Sequence, residues 1–184
     1  MPAIIRNAVL ISSICLTNLI TLNSCDGEKR NKESHIESYI TEDEKWLKGK
    51  HLCCIDSIIE QRSKNEIIYI FNFYDCITCI DKGFKAVHNI DSVFGKSTVK
   101  VIVSMFQEIT TTQRQNNYKG LIYKDTKDRI RKELKYAPTP ALLIIDDSCQ
   151  IQDAFIFDTS NNRERQLDKF INKCISILKS NKVS

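Results

Sequence analysis

The 184-residue chain is long enough for one domain with short appendages, and a hydrophobic fraction of 42% supplies a core. Its 27 basic and 23 acidic side chains nearly cancel to +4 and are spread along the chain rather than blocked, which marks a solvated surface and argues against nucleic-acid binding. Five Gly and three Pro exclude a low-complexity or collagen-like chain.

Eight Cys are many for this length, and their meaning depends on the compartment. Residues 1–24 offer one cation, Arg6, then a mostly apolar run from Ala8 to Leu22. A charged start, a short apolar core and a small residue at the cut describe an export signal. The run is too short, and too interrupted by Ser, Thr and Asn, for a membrane span. Leu22-Asn23-Ser24-Cys25 resembles the bacterial lipobox, in which the cysteine is lipidated and becomes the first mature residue. That resemblance implies acyl chains on Cys25 and a protein tethered outside the cytoplasm, where disulfides persist. The alternative is an ordinary signal peptide followed by a structural cysteine. Residues 25–51 read as a polar spacer, partly helical near its end, and residues 52–184 as the folded domain.

Within the domain, apolar residues at helical spacing predict a short helix over about 52–63. Ile67 to Phe73 is a short run of β-branched and aromatic residues, as a buried central strand requires. Ile77, Ile80, Phe84, Val87, Ile90 and Phe94 then recur at steps of three and four, giving a helix with one core face that ends at Gly95. Val99 to Val103 is a second strand. Residues 107–123 carry no clear period, and Asp125 to Tyr136 reads as a helix with Ile130 and Leu134 inward. Ala141 to Ile145 is a third strand, and Asp146-Asp147-Ser148 predicts a hairpin into a fourth around Gln150–Phe157. Leu167, Phe170, Ile171, Cys174, Ile175 and Leu178 mark a C-terminal amphipathic helix.

A parallel first half joined through a helix to an antiparallel hairpin requires an α/β fold: a mixed four-stranded sheet with helices on both faces. Cys76-Ile77-Thr78-Cys79 falls where the first strand gives way to the first helix. There the leading sulfur meets unpaired N–H groups and the positive end of the helix dipole, both of which favour a thiolate. With Thr139-Pro140 ahead of the third strand, this order resembles the thioredoxin fold over roughly residues 52–180. With the lipobox added, it resembles the membrane-tethered thiol–disulfide oxidoreductases of the TlpA/ResA type. The resemblance implies that Cys76 attacks, Cys79 resolves, Pro140 is the cis-proline opposite the motif, and the Thr139 backbone pairs with substrate. It also implies envelope proteins bearing thiols or disulfides as substrates, a second redox protein that resets the pair, and no soluble cofactor.

Asp75 stands where the family usually has Trp, and Ile77-Thr78 replaces the familiar central dipeptide. A carboxylate beside Cys76 opposes thiolate formation, although as a helix N-cap it also ties down free N–H groups. The buried acid that thioredoxins carry before the motif is missing, with Ile70 near its position. No Pro-x-x-x-Thr-x-x-Cys surrounds Cys76, so a peroxiredoxin reading fails. The rival readings are a binding module with an inert Cys76–Cys79 bridge, and a zinc site drawing on Cys53, Cys54, Cys76 and Cys79, which the adjacent Cys53-Cys54 disfavours. Metal ligation is accordingly not expected. Cys174 reads as a core residue and Cys149 as a strand residue after the turn. Cys53-Cys54 are a second relay, a bridge to another cysteine, or half-buried helix residues.

Overall fold

The computed structural model describes residues 40–60, 62–104 and 109–181. The signal segment, Cys25 and most of the expected spacer lie outside them. The elements are α1 (Glu42–Leu47), a 3-10 turn (Cys53–Ser57), β1 (Glu66–Asn72), α2 (Ile77–Phe94), β2 (Lys100–Ser104), α3 (Ile109–Gln115), β3 (Ile122–Asp125), α4 (Arg129–Leu134), β4 (Ala141–Ile145), β5 (Ile151–Ile156) and α5 (Glu164–Asn181). Among the described residues no helix is long and apolar enough to cross a membrane.

β1 is central because its run from Ile67 to Phe71 is wholly apolar and buried, which only a strand covered on both faces allows. It pairs parallel with β2, Ile70 opposite Ile102, and antiparallel with β4, Ile68 opposite Leu143. The sheet order is β3-β2-β1-β4-β5. The sheet therefore has five strands rather than four. The additional one, β3, runs parallel to β2 at the edge. Only Ile122 and Asp125 of its four residues are buried, too little apolar content to show as a strand in the sequence.

Strand alternation divides the core in two. Ile67, Tyr69 and Phe71 point to the face covered by α2 and α5. Ile68 and Ile70 point to the other, where they meet Leu47, Leu52, Ile55, Ile130 and Leu134. Helices do cover both faces. α2 ends at Gly95 with φ 110°, a conformation open to glycine. Residues 125–136 form a shorter helix than their pattern predicts. Asp125 belongs to β3, and its buried carboxylate accepts from the Ile130 N–H at 2.9 Å, while Lys135 at φ 64° closes α4.

The region before β1 is better anchored than its composition indicates. Among the described residues of 52–63 there is only the 3-10 turn, whose Cys53 and Cys54 N–H groups each donate to the Glu133 carboxylate at 2.8 Å. α1 lies in the stretch read as spacer, yet Leu47 is a core residue. Thr41 and Glu44 form a reciprocal capping box on α1. Glu44 is itself buried, accepting from the Ile156 N–H at 2.8 Å and pairing with Arg163.

Between α2 and β1 the approach is close. A Cβ on Gly83 would stand 2.3 Å from the Tyr69 ring, which is fully buried. Gly83→Ala is therefore expected to destabilise the domain by about 1–3 kcal/mol, read as a lowered urea midpoint with unchanged m-value.

Candidate active site

β1 and α2 together position the CxxC. Cys76 is the N-cap residue of α2, which sets its sulfur at the helix N-terminus. Its carbonyl accepts from the N–H groups of Cys79 and Ile80, each at 2.9 Å, which folds the motif into the first helical turn. Cys76 is exposed and Cys79 is buried. A helical turn thus places one sulfur in solvent and the other beneath it.

The two thiols are pushed in opposite directions. The Thr78 hydroxyl lies 2.9 Å from the Cys76 sulfur. That contact foremost, then the Cys79 thiol and the Cys79 backbone N–H, lowers the Cys76 thiol from 9.0 to about 7. Burial first, then the shared hydrogen bond with Cys76, raises Cys79 to about 11, against the pull of the Lys82 cation. The arrangement supplies an accessible thiolate near neutral pH beside a sheltered thiol that keeps its proton.

Asp75 does not cap the helix. Its carboxylate accepts from the Asn72 N–H at 2.7 Å and from the Thr139 hydroxyl at 2.9 Å. Burial, the largest influence, raises its pKa above the usual carboxylate value despite these two donors. Asp75 thereby ties the CxxC turn to the segment entering β4, where the Thr139–Pro140 peptide is cis and Pro140 is buried. Four of the residues singled out from the sequence, Cys76, Cys79, Thr139 and Pro140, fall in this one neighbourhood.

Sequence reasoning missed the roles of Thr78 and Tyr69. A hydroxyl two residues after a helix-opening cysteine was the available signal for Thr78. Tyr69, whose hydroxyl donates to the Ile80 carbonyl at 3.1 Å, carries no sequence signal beyond its place in a buried strand. Beside the motif, Tyr74 and Ile77 are exposed apolar side chains, 80% and 72% accessible. A groove of 520 Å³ opens beside Ile77, bordered by Phe73, Ile80, Thr112 and Gln115.

The remaining cysteines lie elsewhere. Cys174 is fully buried in the α5 face of the core, as its place on the apolar stripe predicted, and burial pushes its thiol up to about 12. Cys53 is exposed and Cys54 half-buried. Cys53 lies beside the hairpin turn at the Glu66 end of β1, whereas Cys76 follows its Asn72 end. A seven-residue strand separates the ends by about 20 Å, so one metal ion does not reach both cysteine pairs.

A parallel β1–α2–β2 unit with the motif at its first turn, joined to an antiparallel β4–β5 hairpin and a closing helix, defines the architecture. The fold is thioredoxin-like. No protein-family model matches the chain, and no curated protein matches its sequence. Among solved structures, the chain is similar to StoA from Bacillus subtilis, with 14% identity over 59% of this chain and 84% of that one, TM-score 0.41. It is also similar to a thioredoxin-like protein from Porphyromonas gingivalis, with 17% identity over 63% and 78%, TM-score 0.44. A third is a secreted Mycobacterium tuberculosis disulfide oxidoreductase homologous to E. coli DsbE, with 9% identity over 72% and 99%, TM-score 0.46.

Within this thioredoxin-like site, the alkylation rate of Cys76 by iodoacetamide should rise through a midpoint near pH 7, because only the thiolate reacts. Thr78→Val removes the leading hydrogen bond and should move that midpoint upward by roughly one pH unit, toward the ordinary thiol value.

Proposed function

We propose that this chain is a lipid-anchored thiol–disulfide oxidoreductase of the cell envelope that exchanges disulfides with other envelope proteins through Cys76 and Cys79. The observation that carries the reading is the pairing of an exposed Cys76 sulfur at a helix N-terminus with a buried Cys79 one turn inside. A structural bridge has no need of that asymmetry; disulfide exchange does.

In the reducing direction the Cys76 thiolate attacks one sulfur of a substrate disulfide, and the other substrate sulfur leaves as a thiol. Cys79 then gives up its proton and attacks Cys76. The substrate is released with both sulfurs reduced, and the two electrons it gained leave a Cys76–Cys79 bridge. The reverse sequence donates the bridge. A second dithiol or disulfide protein resets the pair, with electrons passing only between sulfurs. The Thr139 backbone pairs with the substrate strand, Pro140 closes the pocket beside it, and exposed Tyr74 and Ile77 give the approaching chain an apolar landing.

A redox titration followed by thiol trapping tests this. A reversible two-electron Cys76–Cys79 couple between about −270 and −120 mV is expected. A bridge that resists reduction well below about −300 mV, or thiols that never pair, favours an inert binding module instead. Cys79→Ser should accumulate mixed disulfides with substrate proteins, and Cys76→Ser should form none and lose exchange activity by at least about 100-fold.

The anchor is tested separately. Cys25→Ser should transfer the protein from the detergent phase to the aqueous phase in cells that lipidate the parent chain, because the acyl chains hold it at the membrane.

A further inference from the structure

At the Glu66 end of β1 the fold brings a second pair of thiols together. Residues 49–52 run as an added antiparallel ribbon along the β4–β5 hairpin. Gly49 N–H donates to the Ile151 carbonyl, Ile151 N–H to the Lys50 carbonyl and Leu52 N–H to the Cys149 carbonyl, each at 2.8 Å. His51 stands opposite Gln150. The Leu52 N–H bond to the Cys149 carbonyl thereby sets the next residue, Cys53, beside Cys149.

One of these sulfurs is accessible and the other is not. Cys53 is exposed, whereas Cys149 is buried. The hairpin turn fixes Cys149: the Asp146 carboxylate accepts from the N–H groups of Ser148 and Gln150, both at 2.9 Å. Cys149 itself adopts φ 65°, a backbone conformation that favours Gly or Asn, so the thiol is held there at a conformational cost. Arg62 places its Nη1 2.9 Å from the Cys149 sulfur and 2.6 Å from Asp56 Oδ1, and its Nη2 2.5 Å from the Asp146 carbonyl. Asp56 Oδ2 lies 3.7 Å from the same sulfur, and Glu133 holds the Cys53 and Cys54 N–H groups.

We propose that Cys53 and Cys149 are a second thiol–disulfide pair, whose bridge clamps the segment before β1 onto the β4–β5 hairpin. The oxidant is a disulfide-bearing partner, a protein or a small molecule. The Cys53 thiolate attacks that disulfide and releases one thiol. The Cys149 thiol then gives up its proton, attacks Cys53 and releases the second. Cys53 and Cys149 lose two electrons and two protons, and the partner disulfide becomes two thiols. The Cys76–Cys79 pair, about 20 Å away along β1, takes no part, so this pair stands independently of the proposed function. The bridge closes a loop of about 95 residues, long enough to restrict the unfolded chain strongly.

The test uses the full chain in detergent with Cys76→Ser and Cys79→Ser, so that the first pair cannot respond. After incubation with oxidised glutathione, remaining thiols are blocked with maleimide and the unreduced digest is analysed by mass spectrometry. The main product should be a Cys53–Cys149 linked peptide, with Tm raised by about 5 °C or more over the reduced sample. Adding Cys53→Ser, a change at an exposed side chain, should abolish both. The proposal is overturned if Cys53 and Cys149 are recovered alkylated or glutathionylated, if Cys149 links to Cys54 instead, or if the bridge forms without raising Tm.

Discussion

The Tyr69 ring fills the space that a Cβ on Gly83 would need, and its hydroxyl reaches the Ile80 carbonyl at 3.1 Å. That contact satisfies a buried hydroxyl and lets α2 lie directly against the sheet. Phe71, Phe84 and Phe157 surround the ring with centroids 5.6, 5.4 and 5.8 Å away, so its position is fixed from three sides. With the helix held at that height, its first turn overhangs the end of β1. Cys76 then emerges into solvent, and Cys79, three residues on, is carried under it. The chemistry at the motif follows from how closely a helix can approach a strand.

The same geometry separates the properties of two identical side chains. Cys76 is lowered chiefly by the Thr78 hydroxyl, with Cys79 contributing, and Cys79 is raised chiefly by burial. Asp75, adjacent to Cys76, looks from the sequence like an obstacle to the thiolate. In the fold its carboxylate is engaged by the Asn72 N–H and the Thr139 hydroxyl, joining the CxxC turn to the Thr139–Pro140 turn. A residue that appears to oppose the chemistry holds the two halves of the site together.

The segment ahead of β1 shows how far polar residues can be drawn into a core. Glu44 accepts from the Thr41 and Ile156 N–H groups and pairs with Arg163, so it joins α1 to β5 and to the start of α5. At the surface, Glu133 joins α4 to the 3-10 turn by accepting from the Cys53 and Cys54 N–H groups. Glu44 is satisfied by backbone donors as well as by a cation, the condition under which burying charge is tolerated. Arg62 completes the pattern by joining Asp56, Cys149 and the hairpin turn.

Much of this protein is determined by its sequence alone, wherever the signal is local. The unbroken apolar character of Ile67–Phe71, the three-four spacing from Ile77 to Phe94, Gly95 and the Asp146-Asp147-Ser148 turn each specify an element, because period and turn chemistry act within a few residues. Cys76 at the strand-to-helix junction follows from the same signals. Tertiary structure alone decided the rest. β3 exists because β2 offers an edge to four residues that are barely apolar, and α4 is short because the Asp125 carboxylate bonds the Ile130 N–H. Thr78, Asp75 and Tyr69 acquired their roles, and Cys53 met Cys149 across almost a hundred residues, because hydrogen bonds and burial depend on distances in space that sequence spacing does not encode.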